Sequence, residues 1–476
     1  MGNISAGFGR ASLIPAFQDG KRFPDTMDTR AFVCRSGKET ALIVVADLGC
    51  PSQKTVLQLR REVGKAVKLP LKSVILTTTQ NHTTEHISKL IYKKVVSAYT
   101  LAAKNALKDL KPVKYSFVAL EPSPLIHFKR RAKIKGLGAF TAWFGVKKVK
   151  GRADIGHIAK MFLEELGRGS TEQIRCFVPG KDMKYPKAKP LFLEKAEDNL
   201  LQAVFFKDLK GKPAGSLIRL PAHPVTANIF GRDYHSHDYP GYAREYLEKK
   251  FGGRSVFLLG PCGDQMPFLV KKSLKFAKEY GYNVGKLALS SLNNSPWETG
   301  GEVKAAVVDG YFTVRKDYPE TRKKAEEERE ALRVKLKVLA ANKAPLHLMK
   351  KISDRVDVLD AAIHESKTKR WVGCDIIRMR GKKIKHPVPA FKMGTLGFVG
   401  LPSEPFGAYS AAVRKKTAGK RVITFEEANG YLNYIPTDAE MQYGNYEANN
   451  CFLEKGIEKA LISAAVKAAK KAGIGK

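Results

Sequence analysis

Between Gly215 and Pro267 two short apolar runs each end in a tight polar loop, and a helical segment joins them. No other stretch restricts the fold as much. In GSLIRLPAHPVTAN the apolar run stops at Ala222-His223-Pro224. A proline removes a backbone donor and forces the preceding residue out of the helical region, so His223 is held in an extended turn at a strand end. Val256 to Leu259 has the length and composition of a buried parallel strand. Gly260, Pro261 and Gly263 then punctuate a loop that carries Asp264. Tyr242 to Lys250 has helical spacing, and strand, helix, strand is a crossover unit. In open α/β sheets ligands bind beyond the carboxyl ends of such strands.

The same alternation runs through the chain. Strands are predicted at Thr29–Arg35, Thr40–Leu48, Ser73–Thr78, Val113–Leu120, Thr171–Val178, Ala203–Lys207, Val372–Met379, Gly397–Val399 and Arg421–Phe425. Helices are predicted at Gln53–Lys68, Ser88–Lys108, Asp154–Leu166, Pro267–Tyr280, Phe406–Lys416 and Phe452–Ala472. Asn283–Ser290 fits either a helix or an extended segment. Asp317–Ser366, dominated by Glu, Lys, Arg, Leu and Ala and broken at Lys343-Ala344-Pro345, reads as a helical hairpin. No repeat or linker divides the chain, so the expectation is one α/β domain over residues 1–476, mixed β-sheets flanked by helices, with 317–366 as an excursion.

At 476 residues the chain can bury a full core without disulfides, and its six cysteines show neither zinc-ribbon nor redox-dithiol spacing. The N-terminus lacks a basic start and apolar core, and no run approaches the 18 apolar residues of a membrane span. A soluble, cytoplasmic protein is expected. The formal charge of +38 creates a field that attracts phosphates and anionic lipid. The basic runs are not interleaved with aromatics, and no nucleic-acid-binding motif accompanies them, so no specific nucleic-acid binding is expected. A solvated basic surface and attraction to an anionic membrane face are the two readings left.

Five polar motifs follow predicted strands directly: Gln80–His86, His223, Gly263-Asp264, Glu404 and Asn429–Tyr434. Such clustering argues for a single site. Histidine, carboxylate and phenol together suit a metal hydrolase, in which a Lewis acid activates water and polarises a carbonyl. His82 and His86, four apart with Glu85 between, would also suit ligands on one helical face, although the spacing is not that of HExxH. There is no Gly-x-Ser-x-Gly nucleophile elbow. Cys262 reads as a small buried thiol in a Gly/Pro loop rather than as a substitute nucleophile.

AGFGRASL, TRAFVCRSGKETALIVVADL, SVILTTTQNHTT, AHPVTAN, DYPGYAREYLEK, FLLGPCGDQMP, LGFVGLPSEPF and ANGYLNYIPTDAEMQYGNYEA together, in that order, resemble the neutral/alkaline (non-lysosomal) ceramidases over the length of their catalytic domain. The resemblance implies a ceramidase-like α/β fold without the family's C-terminal immunoglobulin-like domain. It further implies zinc-dependent cleavage of an N-acyl amide, by which ceramide yields a fatty acid and sphingosine. By position, His223, Glu404 and Tyr434 match zinc ligands, Tyr446 a further active-site tyrosine, and Arg130 or Arg131 an arginine near the substrate. Asp264 sits in the loop that carries the family's catalytic serine, where this chain has Met266. Gln80 falls on the position of the first ligand histidine and His82 on a second, hydrogen-bonding one. A two-residue shift would instead make His82 the ligand. Glutamine offers only a neutral carbonyl oxygen, a poor zinc donor beside imidazole. Gln80 and Met266 also admit a metal-free descendant of the fold that binds a ligand or an anionic membrane surface.

Overall fold

The computed structural model describes residues 2–17, 19–84, 87, 89–122, 126–143, 145–170, 186–227, 233–268 and 272–475. Two sheets packed face to face form its centre. The larger has eight strands on its main path, in the order Arg254–Leu259, Pro213–Leu220, Leu201–Asp208, Lys111–Leu120, Ser5–Ser12, Asp28–Ser36, Glu39–Ala46 and Val74–Thr78, with Glu298–Thr299 paired to Lys111–Leu120. Its inner pairs are antiparallel. Both ends close with a parallel pair, Glu39–Ala46 with Val74–Thr78 and Pro213–Leu220 with Arg254–Leu259. Parallel neighbours cannot be joined by a tight turn. The helices Gln53–Val67 and Asp238–Lys250 make the two crossovers.

The smaller sheet runs Val303–Thr313, Lys383–Met393, Leu396–Gly400, Val422–Phe425, and its last pair is parallel, crossed by the helix Gly407–Lys415. Phe8, Phe32 and Phe206 of the larger sheet pack with Phe391, Phe398 and Phe425 of the smaller in one buried cluster. Helices cover the outer faces: Gln53–Val67 and Lys89–Lys108 over one half of the large sheet, Asp238–Lys250 and Leu274–Ser290 over the other, and Ile457–Lys471 over the small sheet. Covered on both sides, the edge strands read as unbroken apolar runs rather than alternating ones. The mixed α/β class expected from the sequence is the one observed.

The strand Ser5–Ser12 was not expected, because its glycines and serines have low strand propensity. The glycines are there for close approach. A Cβ on Gly7 would lie 2.2 Å from the carbonyl oxygen of Ala106, and one on Gly9 1.9 Å from that of Ala102, so the helix Lys89–Lys108 rests directly on the strand. Pro267 does not open a helix; it ends the strand Gln265–Pro267. The helix starts at Leu274, where the Ser273 hydroxyl accepts the Phe276 N–H at 3.0 Å, and runs to Ser290, absorbing Asn283–Ser290. Val372–Met379 is turns, not strand. Its entry is fixed by the Glu365 carboxylate, which accepts the N–H groups of Trp371, Val372 and Gly373 at 2.9, 2.9 and 3.1 Å. The extended chain comes later, at Lys383–Met393. The expected strand Thr171–Val178 lies outside the described residues.

Two antiparallel helices, Arg322–Ala341 and Leu346–Thr368, occupy the charged stretch. Arg329 and Arg333 both reach Asp360, at 3.1 and 2.8 Å, and Arg355 reaches Glu328 at 2.7 Å. Among the described residues no helix is long and apolar enough to cross a membrane.

Candidate active site

Five strands end on the same problem: Val74–Thr78, Pro213–Leu220, Arg254–Leu259, Leu396–Gly400 and Val422–Phe425 each belong to a parallel pair, and each runs into a polar loop. Those loops carry Gln80 and His82, His223, Asp264, Glu404, and Tyr431 with Tyr434. The short parallel bridge of Glu404–Pro405 with Tyr434–Ile435 ties two of them together.

His223 and Glu404 form the centre. His223 is fully buried, and its Nδ1 lies 2.8 Å from the carbonyl oxygen of Cys262. A carbonyl only accepts, so Nδ1 carries a proton. Nε2 faces Oε2 of Glu404 at 3.0 Å. The other carboxylate oxygen accepts the hydroxyl of Tyr431. Burial works to raise the pKa of Glu404, but the hydrogen bond and charge of His223, then Tyr431 and His82, outweigh it and bring it down to about 2. Burial, with Arg130 nearby, holds His223 below the ordinary imidazole value. An imidazole nitrogen and a carboxylate oxygen at this distance are held together by a shared proton, and a cation between them would do the same. Two ligands that share an ion at ~2.1 Å each stand roughly 3.0–3.4 Å apart, so the spacing fits a divalent cation.

Tyr434 completes a possible donor set. Its ring lies nearly parallel to that of His223, at 6.4 Å and 11°, and its hydroxyl accepts from Nη2 of Arg130 at 3.2 Å. Among the described residues no group of three or more His, Cys, Asp or Glu side chains could hold a metal ion. Tyr446 packs edge-on to Tyr434 at 5.3 Å and to Trp143 at 4.8 Å. Burial pushes both phenols above the ordinary tyrosine value.

Arg130 is buried behind them. Nε donates to Glu447 at 2.7 Å and Nη2 to the Gly263 carbonyl at 2.7 Å, whereas Nη1 meets no acceptor among the described residues. Arg131 turns away: it donates to Glu447 at 2.7 Å and to Glu440 at 3.1 Å, with Lys129 on the same Glu440. Of the two candidate arginines, only Arg130 touches Tyr434. Burial would raise the pKa of Glu447, but the two guanidiniums more than offset it and hold that carboxylate below its usual range.

His82 is half-buried, with Nδ1 2.8 Å from the Gln80 carbonyl and its ring 5.6 Å from that of His223. Burial, then the neighbouring His223, lowers it to about 3, so its imidazole is neutral. Gln80 is fully buried with φ at 53°, its backbone N–H on the Thr78 hydroxyl at 3.2 Å, and among the described residues neither Oε1 nor Nε2 meets a hydrogen-bond partner. Glu85 and His86 lie outside the described residues.

Asp264 is placed differently from the other candidates. One carboxylate oxygen accepts the Gly407 N–H at 2.9 Å, at the start of the helix Gly407–Lys415, and no hydrogen bond joins it to the His223–Glu404 pair. Burial raises it to about 6, with Lys129 working against the rise. Met266, opposite Phe128 in a two-stranded ribbon, belongs to an apolar cluster with Phe140, Phe162 and Val225. The thiol of Cys262 donates to Glu426 at 3.0 Å, and burial raises it well above the ordinary thiol value, which suits an inert group.

Sequence reasoning missed Tyr431, Trp143 and Glu447. Tyr431 and Glu447 were in reach as neighbours of Tyr434 and Tyr446. Trp143 carried no local signal, since its place against Arg130 at 4.8 Å exists only in the fold.

This arrangement, two sheets with polar strand-end loops around His223, Glu404 and Tyr434, is that of a ceramidase-like α/β fold. A ceramidase complexed with C2 is 15% identical, with a TM-score of 0.63 over 99% of this chain and 76% of that one. The neutral ceramidase from Pseudomonas aeruginosa is also 15% identical, with a TM-score of 0.62 over 100% of this chain and 76% of that one. No family model and no curated protein matches the sequence. At that identity the likeness establishes the fold, and chemistry has to be argued from the residues.

Proposed function

We propose that the protein is a hydrolase of the ceramidase type, cleaving the amide of an N-acyl lipid. One observation carries this reading: Nε2 of His223 lies 3.0 Å from Oε2 of Glu404, with the His223 ring alongside the Tyr434 phenol to which the buried Arg130 donates. His223, Glu404 and Tyr434 would hold zinc, which when bound supplies an activated water and a polarised carbonyl. The rest falls to the chain's own groups. The Cys262 carbonyl fixes the His223 tautomer, and Tyr431 fixes the carboxylate, which keeps both donors in place. Nη1 of Arg130 and the hydroxyl of Tyr446 are the donors for charge that develops on the substrate oxygen. His82, neutral at rest, would relay to the departing amine the proton that the attacking water gives up.

The test is metal content by mass spectrometry, together with hydrolysis of N-acyl sphingoid amides, on untagged protein and on His223→Ala. One zinc per chain, and turnover, both lost in the variant, is the expected outcome. Protein with no His223-dependent metal and no amide turnover would defeat the reading. A second reading, a metal-free ligand-binding descendant drawn by its +38 charge to an anionic membrane surface, is favoured by the neutral side chain at Gln80 and predicts vesicle binding without turnover.

A further inference from the structure

The helix Lys89–Lys108 holds five lysines and no acidic residue. It follows the loop that carries Gln80 and His82, and its Tyr99 hydroxyl donates at 3.3 Å to the carbonyl of Thr77, on the strand that runs into that loop. Packing settles its inner face: Ile91, Val95, Ala98, Ala102 and Ala106 are buried with Ala31, Val33 and Val44 of the large sheet. The outer face follows from the helical period. Leu90, Lys94, Ser97, Leu101, Lys104 and Lys108 recur every three or four residues and are all exposed, so they line one stripe about 27 Å long. Leu90 is 75% exposed and Leu101 51%. Lys94, Lys104 and Lys108 form no ion pair among the described residues. The neighbouring helix Gln53–Val67 adds exposed Lys54, Arg61 and Lys65. Its one acid, Glu62, is taken by the Tyr92 hydroxyl at 2.9 Å and the Gln58 amide at 3.0 Å.

A single exposed leucine is ordinary. Two on one stripe, set among lysines without counter-charges, fit a partner that is anionic at its surface and apolar just beneath. A nucleic acid would meet the lysines, but it offers only sugar and phosphate to the leucines. Lysine stems lie along apolar surface while their heads stay in the polar layer, and a helix in the plane of a membrane interface mixes the same two residue types. We infer that this face docks on the surface of an anionic lipid bilayer, with Leu90 and Leu101 set into the acyl boundary and the lysines at headgroup level. The surface goes beyond the reading of the site, because docking needs no chemistry at His223.

The test is cosedimentation of the full chain with vesicles of phosphatidylcholine, alone and with phosphatidylglycerol added. It compares the wild type with Leu90→Gln/Leu101→Gln, with Lys94→Gln/Lys104→Gln and with a control, Lys467→Gln/Lys470→Gln, in the helix that covers the small sheet. Circular dichroism confirms that each variant is folded. Expected is binding to the anionic vesicles, weakened roughly 10- to 30-fold by the helix lysine pair and about 10-fold by the leucine pair, with the control within about twofold of the wild type. No binding of the wild type to anionic vesicles overturns the inference. So does a leucine pair without effect, or a control pair as harmful as the helix pair, either of which leaves only the diffuse attraction of the +38 charge. A duplex DNA fragment is measured in parallel by anisotropy. DNA binding tighter than vesicle binding, lost in the lysine pair and kept in the leucine pair, assigns the face to nucleic acid and also overturns it. Vesicle binding is read without turnover, so each of these failures is distinct from failure of the amide-cleaving reading, which shows in metal content and turnover.

Discussion

Two buried polar regions of this protein are built on opposite terms. Around Glu447, both carboxylate oxygens are taken by Arg130 and Arg131 at 2.7 Å each, and the Thr141 hydroxyl adds a third donor at 2.8 Å. Around Gln80, two polar atoms of one fully buried side chain have no hydrogen-bond partner among the described residues. A buried ion network that is complete holds a structure in one arrangement. One that is left incomplete keeps capacity for a ligand at some expense of stability. The contrast separates the residues that support this site from those that use it, and it does so without reference to any relative.

Removing a partner from the complete region should have the largest effect. Glu447→Ala strands two buried guanidiniums, and a loss of about 3–5 kcal/mol is expected in urea denaturation. A loss under ~1 kcal/mol would mean that the network is not structural and would erase the contrast. Next is Asp264→Asn. Its folded pKa of about 6 stands above the 3.8 of an ordinary aspartate, so ionisation destabilises the fold. The sign follows: the protonated group is harmless below pH 4, the penalty grows between pH 4 and 6, and it is complete above. Asparagine keeps an acceptor for the Gly407 N–H without the charge, so the variant should match the wild type at pH 4 and exceed it above pH 6 by up to about 3 kcal/mol. Thermal melting across that range reads it directly. If Asp264→Asn instead abolishes turnover with no change in melting, the residue belongs to the chemistry and not to the helix start.

How much of this was legible beforehand depends on which atoms did the work. The crossover units could be read because buried parallel strands are unbroken apolar runs ending in Gly and Pro, as at Val256 to Gly263. Those strand ends led to His223, Glu404 and the Tyr434 loop, which the fold does bring together. The strand Ser5–Ser12 was hidden because close helix approach, not strand propensity, dictates its glycines. Val372–Met379 misled because an upstream carboxylate, Glu365, takes the N–H groups at its start and bends an apolar stretch into turns. Asp264 sat at the right loop tip, but the direction of its carboxyl, toward Gly407, is decided by a helix 143 residues away in sequence. Loop position was readable in this chain; side-chain direction was not.

The incomplete region yields the smallest but most discriminating effect. If Gln80 is kept for a ligand, the free protein gains when the unpaired amide is removed, because an apolar side chain of similar length leaves no donor or acceptor unmet. Gln80→Met at the same φ of 53° adds no new branching at Cβ, so backbone strain should change little. A gain of about 1–2 kcal/mol in urea denaturation of the ligand-free protein is expected. This sign is opposite to that of Glu447→Ala, although both residues are buried and polar. A loss of similar size would show that the amide has a partner in the folded protein and belongs with the supporting residues, and the line drawn between the two regions would then have to move to the other side of Gln80.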